Sequence, residues 1–139
     1  MAFKKKIVRV RDGLKLIGLV FDEYRRRLYE YNERIKEFNY YLKPVHEVTY
    51  SYEGVVRKYL YFGRYWYRLV KSRGGLKWIY IGREKPDPHL PDPPLNPFEG
   101  IKIVVEGNDV LIDESVYLLL KKVLEMNYGI DLDEFVVNV

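Results

Sequence analysis

Nine apolar residues, Leu14, Ile17, Phe21, Tyr24, Leu28, Tyr31, Ile35, Phe38 and Leu42, follow one another at spacings of 3, 4, 3, 4, 3, 4, 3 and 4. A helix turns once in about 3.6 residues, so it alone gathers such positions into one stripe. The pattern is an a/d seam with Arg25, Arg27, Asn32, Arg34 and Asn39 at the flanking positions. An exposed seam needs a cover: a second chain, or a sheet of the same chain. Tyr24, Leu28, Tyr31, Ile35 and Phe38 are therefore the candidate dimerisation residues, as in a coiled coil.

The start of this helix is open. In "IVRVRDGLKLIGLV" the Asp12-Gly13 pair, flanked by apolar residues, is also a hairpin signal. Asp22 would then cap a shorter helix from Glu23 to Lys43. The reading adopted is a strand near Ile7–Arg11 and a helix secure from Asp22 onward. Pro44 falls where the helical pattern stops.

Six of the seven prolines lie in "KPDPHLPDPPLNP", Lys85 to Pro97. Proline fixes φ and removes a donor, so this stretch reads as a stiff, extended connector. Charge changes across it. Residues 1–98 carry 21 Lys+Arg against 11 Asp+Glu, and residues 99–139 carry 3 against 9. The division implied is a basic helix-plus-sheet domain at 1–84, a linker at 85–98 and an acidic unit at 99–139. A basic body points to a polyanionic partner, although the two halves also have reason to attract each other. Cysteine and glutamine are absent and methionine occurs twice, which removes thiol chemistry and suggests a hyperthermophile, hence an archaeal source. No apolar run reaches the roughly 18 to 20 residues of a membrane span, and no signal-peptide core follows the basic start. A cytoplasmic protein is expected.

The middle of the chain reads as an antiparallel meander: His46–Tyr52, Val55–Tyr61, Arg64–Lys71 and Leu76–Ile81, with turns at Glu53-Gly54, Phe62-Gly63 and Gly74-Gly75. A turn at Arg73-Gly74, or across the four residues Ser72–Gly75, sets Arg68 opposite Ile79, whereas a three-residue turn would shift the register by one and mix the two faces. One face of that hairpin then carries Arg64, Trp66, Arg68, Lys77 and Arg83. The other carries Tyr65, Tyr67, Leu69, Trp78 and Tyr80 and is the better core. Basic residues interleaved with an aromatic suit nucleic acid, because bases stack on rings and cations neutralise phosphates. Wet-face basic residues also protect a strand edge from aggregation, so ordinary packing competes with this reading.

The stretch "YLYFGRYWYRLVKSRGGLKWIYIGREKP" resembles a Tyr-rich hairpin unit found in uncharacterised archaeal and bacterial proteins and near the start of some transposases. The matching elements are Gly63, Tyr65-Trp66-Tyr67, Arg68, Gly74-Gly75 with Lys77, and Tyr80-Ile81-Gly82. Leu76 departs from the pattern by separating Gly75 from Lys77. The resemblance implies a link to DNA transactions and no defined activity.

The C-terminal stretch reads as a hairpin (Ile101–Val105, Val110–Ile112) turning at Gly107-Asn108, a helix capped by Asp113 and stopped at Gly129, and a last strand in "DEFVVNV". Chemistry has little to work with. There are two His and three Ser. His89, between Asp87 and Asp92, is the only hint of a metal ligand, and a solvated linker histidine explains it better. Asp109, Asp113 and Glu114, with Asp131, Asp133 and Glu134, have simpler roles in turns and caps. No phosphate-binding glycine loop occurs. No catalytic residue, metal or cofactor is therefore assigned.

The expected architecture is α+β: a long N-terminal helix packed with an antiparallel meander, then a small β-hairpin–helix–strand unit. The expected function is non-catalytic nucleic-acid binding, DNA rather than RNA, by a possible homodimer with no membrane role. The alternative is a protein–protein adaptor docking through the heptad helix or the acidic unit.

Overall fold

The structure, a computed structural model, describes residues 6–137. It is α+β, with a long N-terminal helix, an antiparallel sheet of six strands and a C-terminal helix. The elements are β1 (Ile7–Val10), α1 (Gly13–Ile35), β2 (Tyr40–Tyr52), β3 (Val55–Ser72), β4 (Gly75–Gly82), β5 (Lys102–Glu106), β6 (Asp109–Asp113) and α2 (Glu114–Tyr128). The sheet order is β1-β6-β5-β3-β2, and β4 pairs with β3. Lys4 and Lys5 of the basic start, and Asn138 and Val139 of the expected last strand, lie outside the described residues.

Local signals settle most boundaries. Asp12 takes a left-handed φ of 55° and its N–H donates to Asp109 Oδ1 at 3.1 Å. The Asp12-Gly13 turn is real, but it leads into α1 and not into a second strand. The helix thus begins at Gly13, and Asp22 caps nothing. Gly13 sits where the backbone passes close to β6: a Cβ there would come within 2.3 Å of Val110 Cγ2. At the far end, Asn39 turns left-handed (φ 66°) after a 3-10 turn at Lys36–Phe38. Pro44 and Leu42 consequently belong to β2, not to the end of the helix.

Phe62-Gly63 is not a turn. β3 runs unbroken for 18 residues, because the backbone there has partners on a neighbouring segment. Gly100 N–H donates to Phe62 O, Asn96 Nδ2 donates to Gly63 O, and Phe62 packs edge-on against Phe98 at 5.3 Å. The Glu53-Gly54 turn forms as expected, with positive φ at both residues, the two-residue geometry that suits strand twist.

The chain divides into two compact units interleaved along the sequence. One holds Met1–Phe21, Glu47–Leu60 and Ile101–Val139, and the other holds Asp22–His46 and Tyr61–Gly100. The expected consecutive division at 85–98 is not the seam of this structure. The proline-rich stretch lies inside the second unit, and strands β5 and β6 of the acidic segment sit between β1 and β3 in the sheet.

In the first unit, β1 pairs with β6 from Ile7↔Asp113 to Val10↔Val110. The Asp113 carboxylate accepts from Val116 N–H at 2.9 Å and caps α2, and Gly129 (φ 64°) ends it. Among the described residues the segment beyond forms a 3-10 turn at Leu132–Phe135 and a bridge, Val10↔Val136, where the last strand was expected.

In the second unit the seam of α1 turns inward. Tyr24, Leu28, Tyr31 and Ile35 are buried, Tyr31 meets Trp66 edge-on at 6.3 Å, and Tyr31 Oη donates to Pro91 O at 2.6 Å. Asn32 is buried and exchanges two hydrogen bonds with the Leu42 backbone. The chain itself covers the seam, so these four residues are not open to a second copy. Phe38 alone of the five dimerisation candidates is exposed.

Candidate functional site

The β3–β4 hairpin closes with Ser72 opposite Gly75, which sets Arg68 opposite Ile79, Leu69 opposite Trp78 and Tyr67 opposite Tyr80. This is the expected register up to a bulge between Trp66 and Tyr67, which places Trp66 opposite Gly82. The faces are the reverse of expectation. Trp66 is 0% exposed, while Trp78 is 48% and Tyr80 50% exposed. The ring of Trp66 fills the space beside Tyr31 on α1, so no base reaches it. The reason is the helix: its seam needs a bulky cover, and either hairpin face was apolar enough to provide one.

The five predicted contact residues are accordingly not one surface. Arg64 is held by Glu99 through two hydrogen bonds of 2.8 and 3.2 Å. Trp66 is core, and its Nε1 has no hydrogen-bond partner. Arg68 lies over the Tyr40 ring at 5.7 Å and donates to its hydroxyl. Lys77 is exposed opposite Val70, on the same side as Arg68. Only Arg83 reaches the other face, where its guanidinium lies 5.4 Å from the Tyr65 ring centre. Gly82, with φ 133°, supplies the backbone freedom at that point.

That other face carries a row of seven rings. In order they are Tyr41, Trp78, Tyr67, Tyr80, Tyr65, His46 and Tyr61, with successive centroids 4.5, 6.0, 5.6, 6.4, 5.8 and 6.3 Å apart. Neighbouring planes are inclined by 33° to 61°. The rings therefore lean on one another without stacking flat, which leaves π-faces for a ligand. Tyr65, Tyr67, Trp78 and Tyr80 were visible in the sequence as one set. Tyr41, His46 and Tyr61 were missed as members of it, since β2 was expected to begin only at His46 and a turn at Phe62-Gly63 would have separated Tyr61 from the hairpin.

The charge around these rings has one sign. From Tyr61 to Arg83 there are six Lys or Arg and no Asp or Glu. Lys43, Lys71, Arg73 and Lys77 are exposed and form no ion pair among the described residues. Lys43 shares the Tyr41 side of β2 by strand alternation, and Lys71 shares the Trp78 side of the hairpin through its pairing with Leu76.

The carboxylate clusters have structural duties. Asp109 binds Arg9 and the Asp12 amide, Asp113 caps α2, Asp131 caps the following 3-10 turn, and Asp133 binds Tyr117 and Lys121. His89 is exposed beside Asp87 at 3.0 Å. Among the described residues no three His, Asp or Glu gather in a metal-holding group, and no helix is long and apolar enough to cross a membrane. No protein-family model, curated protein or solved structure matches the chain.

Proposed function

We propose that the protein binds single-stranded nucleic acid, without catalysis, on the ring-bearing face of the second unit. The observation that carries this reading is the row of seven rings flanked by cations that have no carboxylate partners among the described residues. Every base has a π-face, and stacking on an exposed ring is worth about 1–3 kcal/mol per base. A duplex has already stacked its bases and gains little from such a face. Tyr65, Tyr67, Trp78 and Tyr80 serve as the platform, and Lys43, Lys71, Arg73 and Arg83 neutralise the phosphates. The likeness of the hairpin to units near the start of transposases favours DNA over RNA and a cytoplasmic role in DNA maintenance, regulation or mobility.

The test is a titration with single- and double-stranded oligonucleotides at two salt concentrations. Tighter binding to single strands, weakening steeply with salt, is the expected result. Absence of binding to either form at low salt removes the reading. A protein adaptor is then the better account, and one observation favours it: Leu118 and Met126 are exposed on α2, with Lys122 between them at helical spacing.

A further inference from the structure

Strand β4 is an edge whose usual protections are confined to one lysine and a bulge near its end. Among the described residues it pairs with β3 alone, and no backbone hydrogen bond leaves its outer side. Natural edges are blunted by proline, by inward charges or by bulges. β4 has no proline and a single charge in Lys77, and the bulge in its pairing puts the extra residue at Ile81, near the strand's end, leaving Leu76–Tyr80 in regular register with β3. Five of its eight residues, Leu76, Trp78, Ile79, Tyr80 and Ile81, are large, apolar and exposed. They occupy both faces of the strand, so no single covering layer explains them.

We infer that β4 pairs antiparallel with β4 of a second copy of this chain, about a two-fold axis at Ile79. The residue order supports a second copy over an unrelated strand. Two-fold antiparallel pairing requires opposite residues to share a face, which an axis through a residue provides. With the axis at Ile79, Trp78 meets the partner's Tyr80 on the ring side, and the partner's Trp78 meets Tyr80. On the other side Ile79 meets its own copy, and Lys77 lies opposite the bulged end at Ile81. The three residues nearest the axis, Trp78, Ile79 and Tyr80, each find an apolar neighbour, and Lys77 never faces Lys77. Opposed Cβ atoms in such a pair lie about 4.5–5.5 Å apart, close to the 4.5–6.4 Å between rings already on this face. Two ring rows would thereby join into one platform. This pairing does not depend on the nucleic-acid reading, because it uses the edge and not the rings' open faces.

Light scattering of the full chain over a range of concentrations tests it. The wild type should be a dimer at high concentration. Ile79→Lys sets two like charges face to face on the axis and should raise the dissociation constant at least about tenfold. Ile79→Glu should do the same alone. An equimolar mixture of the two should recover the dimer, because opposite charges then meet across the axis. Thermal melting of each variant at a dilution where the wild type is monomeric should match the wild type, as Ile79 is exposed in the single chain. A wild type that stays monomeric near millimolar concentration overturns the proposal. So does a dimer that ignores Ile79→Lys, or a mixture no more dimeric than either variant alone.

Discussion

The outward sheet faces of the two units solve opposite problems with similar residues. In the first unit, Arg57, Glu106, Arg9 and Asp109 form an alternating chain of charges, with contacts of 3.1, 3.4 and 2.9 Å, and Lys102 lies over the Tyr59 ring. Its cations are answered by its own carboxylates. In the second unit the sheet cations beyond Arg64 have no such answer among the described residues. The first unit carries 11 Lys+Arg against 11 Asp+Glu, the second 13 against 9. Total charge hides this contrast. A cation already paired has little to offer a phosphate, whereas an unpaired one on a ring-bearing face keeps its full attraction.

The largest expected effect lies within the second unit. Trp66→Ala should cost about 3–5 kcal/mol of stability, the range for emptying a buried aromatic site. Trp78→Ala should leave urea unfolding nearly unchanged. If the two results are exchanged, the faces described here are reversed. Next, Trp78→Ala should weaken single-strand binding by about 1–3 kcal/mol and duplex binding little, read by fluorescence anisotropy of a labelled oligonucleotide. A smaller effect separates the charges of the two faces. Changing Lys71 and Arg73 together to Ala should weaken binding to all sequences alike and flatten the salt dependence by about 0.7 per lost contact on single strands. Arg9→Ala should instead cost about 1 kcal/mol of stability and leave the salt slope of binding alone. Equal slopes for both variants would end the contrast between paired and unpaired cations.

Acid and alkali should also tell the units apart. Burial pushes the phenols of Tyr24 and Tyr31, in the second unit, up to about 12. Folding favours their neutral form, so that stability is complete below about pH 10 and is lost as pH rises toward and through 12. The Trp66 environment should report this loss by fluorescence. In the first unit, the Asp12 amide and the Arg9 guanidinium hold the Asp109 carboxyl below its usual 3.8. Its contribution is present above that pH and is lost as pH falls through and below it. Faster amide exchange at Asp12 below pH 4 is the corresponding signal. Asp92 in the proline-rich stretch is also held low by Lys85, but that pair is open to solvent and its loss should leave Trp66 undisturbed.

Features governed by a few adjacent residues were legible in the chain. The Glu53-Gly54 turn, the Asp113 cap, the Gly129 stop and the pairing of Arg68 with Ile79 all rest on short-range stereochemistry. A left-handed φ, a capping oxygen or a two-residue turn is set by residues within a few positions. The inward helical stripe from Ile17 to Ile35 was legible for the same reason, since its period is a property of one helix. What covers that stripe was not legible. One face of the β3–β4 hairpin carries four aromatic residues and the other a single Trp among basic residues, so alternation divides them into two sets and composition ranks them the wrong way. Only the packed structure chose Trp66 for the core and left Trp78 in solvent. Phe62-Gly63 looked like a turn because its partners, Asn96, Phe98 and Gly100, lie more than thirty residues away. The placement of β5 and β6 between β1 and β3 likewise rests on pairing between distant strands. The sequence by itself determined the buried stripe of the long helix, the Glu53-Gly54 turn, the two ends of α2 and the pairing within the short hairpin; the tertiary structure decided where β2 begins, that β3 runs unbroken, which face is buried, where strands insert and which cations stay unpaired, because those outcomes depend on contacts between residues far apart in the chain.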